Sequence, residues 1–289
     1  MEIVPLAAES LGVRSMATFV DTGEVRILCD PAAALGPLRY GYEPHAIELQ
    51  RLENLTRCIE EMITLSDIVV ITHYHFDHHD PVMADAFEGK ELLLKDGDRM
   101  TNRSQSRRCS YFLDRVRKLV KSLRIADGGS FSFSDTKITF SEPVPHGATG
   151  SLGYVLEVSI RRRNESFLYT SDVQGPCLKR QTSFIIQEKP EVVLCDGPMT
   201  YMLGQSFSHA LLRQVIDNLK TVLRLPSLRR LVLDHHLLRD LQWRERMQPL
   251  FDEAEKRGIE VLTMAEMLGW PVDPLEAKRK ELYHGNTTG

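Results

Sequence analysis

Short apolar runs of strand length alternate along the chain with longer stretches in which apolar positions recur every three or four residues. VRILCD at 25–30 reads as a strand that stops at Asp30-Pro31. Over 45–65 the positions Ile47, Leu49, Leu52, Leu55, Ile59, Met62 and Ile63 fall at helical spacing. DIVVITH at 67–73 is apolar without alternation, which predicts a strand buried on both faces, and ELLLK at 91–95 reads the same way. A strongly basic helical pattern follows over 101–124. Strands are predicted in KITFSEP (137–143), GYVLEVSI (153–160), SFLYTSD (166–172) and EVVLCDG (191–197). SHALLRQVIDNLKTVL (208–223) is an amphipathic helix with Ser206 or Ser208 as its cap. LRRLVLDHH (228–236) is a further strand, and LQWRERMQPLFDEAEKRG (241–258) a helix closed by Gly258.

Strands come first, then helix–strand alternation in each half, with no Pro/Gly/Ser-rich linker between. That order predicts an α/β (α+β) architecture of two sheets flanked by helices, in one domain over 1–289. The basic stretch at about 95–125 is expected as a helical insertion in it, and the polar tail at 274–289 is expected to fray.

Composition narrows the function classes only coarsely. With 42% hydrophobic and 26% charged residues the chain is not of disordered type. No apolar run approaches the roughly 20 residues that cross a bilayer, so no membrane partner is expected. The first residues lack a basic stretch followed by an apolar one, so they do not read as a signal peptide. Five scattered cysteines without a CxxC read as reduced thiols in a cytoplasmic protein. The net charge of −4 selects no partner for the chain as a whole, and a homo-oligomer stays open.

Candidate chemistry concentrates in THYHFDHHD, 72–80, directly after the run IVVI. His73, His75, Asp77 and His78 are imidazole and carboxylate ligands of the kind zinc and its neighbours prefer. A solvated loop has no need of such a density of imidazole. Asp80 would cap the following helix, with Pro81 in its first turn. Four residues of one loop cannot complete two metal shells, so further ligands are required. His146, Asp172 and His235 each stand at the end of a predicted strand. Singly, each reads as easily as a turn former or a surface residue; together, behind the dense cluster, they read as a set. His236 adjoins His235, and neighbours on a strand face opposite ways, so one of the two is expected to serve.

HYHFDHHD matches the H-x-H-x-D-H motif of the metallo-β-lactamase superfamily, and His146 in HGATGSLGYVLE, Asp172 in YTSD and His235 in LVLDHH resemble its later motifs. RILCDP is similar to the strand ending in Asp-Pro that precedes its metal loop. The resemblance implies a four-layer αββα sandwich with two divalent metals, zinc before iron or manganese. The oxygen-reducing diiron members usually carry Glu where this chain has His75. By the same resemblance His73, His75 and His146 would hold one metal, Asp77, His78 and His235 the other, and Asp172 would bridge them. It favours His235 over His236. It further implies hydrolysis by a metal-activated hydroxide, with Asp77 orienting it or accepting its proton, and Asp30 and Asp234 bracing the imidazoles. TNRSQ followed by a basic helix, and DGPMTY at 196–201, resemble an uncharacterised archaeal-type group of metallo-hydrolases within the superfamily.

The substrate is left to local charge. Residues 95–124 hold ten Lys or Arg against three Asp, a net +7. Beside a dimetal site this favours a phosphoester or other small anionic substrate, with nucleic acid a further candidate. A solvated basic face or a salt-bridged subunit contact reads equally from the same residues. RRR at 161–163 reads as a turn between strands. Arg103, Arg107, His209 and Arg239 are the candidate substrate contacts. The alternatives are a thioester, lactone or ester hydrolase of the same fold, and a non-catalytic RNA-binding protein on it.

Overall fold

A computed structural model describes residues 1–285. The first sheet runs β1 (Glu2–Pro5), β2 (Thr18–Asp21), β3 (Arg26–Cys29), β4 (Ile68–Ile71), β5 (Glu91–Leu94), β6 (Ser122–Ile125), in that spatial order. Its last four strands are parallel. The second sheet is built from β7 (Ser130–Phe133), β8 (Thr136–Phe140), β11 (Val158–Arg162), β12 (Glu165–Tyr169), β13 (Val192–Asp196), β14 (Arg230–Asp234) and β15 (Glu260–Leu262). Between β8 and β11 the chain makes a small ribbon, β9 (Val144–Pro145) with β10 (Tyr154–Val155).

The side-chain period of two assigns each strand residue to a layer. Ile68 and Val70 pack between the sheets against Ile160, Tyr169, Leu194 and Val232. Val69 and Ile71 point outward to Ile59 and Ile63 of α1 (Ala46–Leu65) and to Phe112 of α2 (Arg103–Val116). Val193 and Leu231 point outward on the other side, toward α3 (Lys179–Glu188) and α4 (His209–Val222). The IVVI run is therefore wholly buried because both of its faces are covered, and the layers read helix, sheet, sheet, helix.

Several elements differ from the sequence reading; the strand expected over 153–160, for one, divides into β10 and β11 of different sheets. The basic helix ends at Val116, and 122–125 form β6 instead. An edge strand needs little apolar character: Arg124 lies against the rings of Phe131 and Phe133 and reaches Glu91 at 2.8 Å. The predicted helix at 241–258 breaks into α5 (Trp243–Arg246) and α6 (Gln248–Arg257), because Pro249 can only start a helix there. The tail does not fray over its first residues. Leu275, Glu276, Ala277 and Arg279 are buried, and α8 (Arg279–His284) follows the short α7 (Met264–Met267). Residues 286–289 of that tail lie outside the described residues. Of the RRR run, Arg161 and Arg162 belong to β11, and the turn falls at Arg163. No helix among the described residues is long and apolar enough to cross a membrane.

Candidate metal centre

Parallel strands deliver their C-terminal ends to one edge, and the candidate ligands stand there. The loop after β4 carries His73, His75, Asp77 and His78; His146 follows β9, Asp172 follows β12, and His235 follows β14. The structure brings all seven together. Donor atoms of His73, His75, His146 and Asp172 lie within 4.8 Å of one another, and so do those of Asp77, His78 and His235. Asp172 stands between the groups: Oδ2 is 3.1 Å from His146 Nε2 and 3.3 Å from His235 Nε2, and Oδ1 is 3.0 Å from His78 Nε2.

The backbone is bent to achieve this. Asp30, Ser171 and His235 adopt positive φ of 48°, 55° and 58°, unfavourable for residues with a Cβ. The same bend sets the geometry of His235 and His236. The pair opens a turn of 3-10 helix, not a strand, with the rings 4.4 Å apart: His236 lines the cavity, and His235 Nε2 lies beneath it, 3.3 Å from Asp172. His236 Nδ1 donates to Asp196 at 3.0 Å.

Each imidazole is oriented from behind. Asp30 accepts from Thr72 N (2.7 Å), Thr72 Oγ1 (2.6 Å), Tyr169 OH (2.8 Å) and His78 Nδ1 (3.0 Å), which leaves His78 Nε2 toward the centre. Asp30 is thus placed as expected. Asp234 is not: it accepts from the backbone of Ser10, His235 and Met264 and contacts no imidazole. Glu9, unnoticed in the sequence, takes that part, accepting from His235 Nδ1 at 2.7 Å. Nothing local in AAESLG betrays it, because His235 lies 226 residues further on. Asp80 caps its 3-10 helix by accepting from Val82 N at 2.8 Å, with Pro81 at the start. His79 turns away, Nδ1 donating to His75 O at 2.9 Å.

Of the candidate substrate contacts, Arg239 lines the cavity, buried and paired with Glu9. Arg103, Arg107 and His209 are exposed and do not line it. Arg108 does, and so does Arg14. The cavity, of about 600 Å³, opens to solvent and counts His75, Asp77, His146 and Asp172 among its lining residues.

The charge state of the cluster fits cations. Burial pushes His78 down, but Asp172 and Asp77 outweigh it and raise the imidazole to about 10. His235 is likewise raised, by Asp172 and Glu9 against burial. Burial, then the charge on His78, lowers His73 to about 3; burial, then His146, lowers His75 to about 4. Burial opposes ionisation of Asp77, yet His78 and His235 keep it well below the usual carboxylate range. Two protons therefore sit where cations would. His78 Nε2 and Asp172 Oδ1, although 3.0 Å apart, have no hydrogen bond of acceptable geometry and are fully buried. Orphaned donors of this kind in an imidazole–carboxylate set suit divalent metals.

A pH prediction follows with its sign. The folded values of His78 and His235 lie above the 6.5 of a free imidazole, so their stabilisation of the metal-free protein is complete below 6.5. It is lost as pH rises through the folded value, about 10 for His78. Metal uptake at pH 7 is expected to release about two protons, and apparent affinity to climb with pH. Calorimetry in buffers of differing ionisation enthalpy counts them; a count near zero contradicts this charge assignment.

Two face-to-face sheets with helices outside, and a His/Asp centre at the strand ends, define a protein of the metallo-β-lactamase fold. Among solved structures it is similar to unliganded yeast PDE1 (TM-score 0.57, 13% identity, 90% of this chain and 96% of that one). It is also similar to an isothiocyanate hydrolase from Delia radicum gut bacteria (0.53, 16%, 87% and 94%) and to the metallo-β-lactamase fold protein YhfI of Bacillus subtilis (0.52, 14%, 90% and 95%). No family model matches the chain. The chain belongs to the UPF0282 family of archaeal proteins. It is 48% identical over 284 residues to the member from Korarchaeum cryptofilum, covering 98% of this chain and 94% of that one. Identity to the Metallosphaera sedula member is 42% over 287 residues, covering 98% and 93%.

Proposed function

We propose that this chain is a metal-dependent hydrolase with two divalent ions, zinc before iron or manganese, acting on a phosphoester or similarly anionic substrate. The observation that carries the reading is the convergence of seven His and Asp side chains, with orphaned donors, at an open cavity that His75, Asp77, His146 and Asp172 line. His73, His75 and His146 would hold one ion, Asp77, His78 and His235 the other, with Asp172 between. Such ions supply Lewis acidity and lower the pKa of a coordinated water from about 15.7 toward 7. Asp77, ionised and at the cavity floor, accepts a hydrogen bond from the attacking water and fixes its direction. Asp30 and Glu9 hold the rings of His78 and His235 so that this geometry is preformed.

The measurement is turnover of a phosphodiester and a thioester chromogenic panel by metal-loaded protein. Phosphodiester hydrolysis is expected, abolished by chelation and reduced about 10³-fold or more in Asp77→Ala, roughly 4 kcal/mol of barrier. Silence of both panels would overturn the enzyme reading. Preference for the thioesters would favour a second reading, for which one observation speaks. A side compartment of about 280 Å³, walled by Leu152, Met199, Phe207 and Leu211, opens beside His146 and could receive an apolar acyl group.

A further inference from the structure

Three arginines line the cavity, and they differ in what neutralises them. Arg14 places Nε and Nη2 each 2.6 Å from the carboxylate of Glu276. Arg239 reaches Glu9 Oε1 from Nε at 2.8 Å and from Nη2 at 2.7 Å. Both carboxylates are buried, so these two cations are compensated where they stand. Arg108 has no carboxylate at ion-pairing distance among the described residues. Its guanidinium makes one bond, Nη1 to Tyr74 O at 3.3 Å, and its carbon lies 4.5 Å from the centroid of Phe76.

A guanidinium has five N–H donors in a planar fork. One of Arg108's is used by Tyr74, and the stacked ring holds its plane in place, which reduces the ordering needed when an anion binds. Phe76 stands between His75 and Asp77, so the fork is tied to the loop that carries the candidate ligands. A half-buried, uncompensated cation on a cavity wall attracts an anion more strongly than one in open water. Arg103 and Arg107, on the same helix, are exposed and have no such setting.

We propose that Arg108 is the oxyanion-binding residue of the cavity, receiving a phosphate, sulfonate or carboxylate group carried by the substrate beside the bond that is cut. Arg14 and Arg239 shape the wall and do not bind it. The inference rests on the anionic-substrate reading above and narrows it, from a basic surface to one fork.

Inorganic phosphate, titrated calorimetrically into chelator-treated protein, gives a test free of turnover. Wild type should bind it; Arg108→Gln should weaken binding about tenfold or more, and Arg108→Lys should retain part of it as a point charge without the fork. The double variant Arg103→Gln/Arg107→Gln should match wild type. Unchanged affinity in Arg108→Gln, an equal loss in the double variant, or no binding by wild type would each overturn the proposal. The lysine variant guards against a fold defect, since its fork is lost while its charge and stem remain. In metal-loaded protein, Arg108→Gln should raise KM for an anionic ester and leave that for an uncharged ester unchanged. Absence of all turnover with phosphate binding still sensitive to Arg108 would instead tell against the hydrolase reading alone.

Discussion

Asp172→Ala is expected to remove bound metal and turnover together, and to destabilise the metal-free protein as well. Asp172 is the side chain that both halves of the cluster share, with oxygens 3.0 Å from His78, 3.1 Å from His146, 3.3 Å from His235 and 3.6 Å from His73. In the proposed bridging role its loss would take one donor from each half, and a fall in activity of about 10³-fold or more is expected, with metal content after dialysis well below that of wild type. The second consequence concerns the protein without metal. His78 and His235 are raised chiefly by Asp172, against burial, and their rings are 5.3 Å apart. Without that carboxylate two buried imidazoliums lose a partner, and breaking such an arrangement costs roughly 3–5 kcal/mol near neutral pH. Denaturant unfolding in chelator at pH 7 measures it. The deficit should shrink as pH approaches about 10, where wild-type His78 also loses its proton. A variant that keeps a full metal complement, or unfolds at the wild-type midpoint, would contradict the bridging position assigned to Asp172.

Much of this centre was legible because the signal was local. Three imidazoles and a carboxylate within six residues, placed after an unalternating apolar run, needed no tertiary information. The run itself predicted burial on both faces, and Ile68–Ile71 is covered on both. His146, Asp172 and His235 were legible only as strand ends, which the parallel topology then carries to one edge. What escaped notice was what the fold brings from afar. Glu9 meets His235 across 226 residues, and Asp196 holds His236 across 40. No pattern within either segment records those partnerships. The alternation rule does not order His235 and His236, because it applies to strands and the strand ends at Asp234. The positive charge of 95–124 was visible, but its distribution was not. Once 122–125 pair as a strand and α2 stops at Val116, Arg103 and Arg107 face solvent while Arg108 turns to the cavity.

The polar tail makes the same point through stability, where polarity misled. Arg279→Ala is expected to cost about 3–5 kcal/mol, among the largest losses available outside the cores. Arg279 is wholly buried, with Nε and Nη2 each 2.8 Å from the carboxylate of Glu48, itself wholly buried. Glu48 also accepts from His45 N at 2.9 Å, closing the capping box that starts α1. The tail therefore fastens the first turn of the helix that covers the first sheet. Truncating Arg279 leaves an unpaired buried carboxylate and empties the volume of a long side chain. Because two buried charges gain little over apolar residues of similar size, the double variant Glu48→Leu/Arg279→Met should recover most of the loss. It would still forgo the capping bond, worth about 1 kcal/mol. Chemical denaturation of wild type, both single variants and the double variant gives the coupling directly. A coupling near zero would mean that the tail, though packed in place, does not hold α1, and the pair would rank with surface ion pairs worth under about 1 kcal/mol.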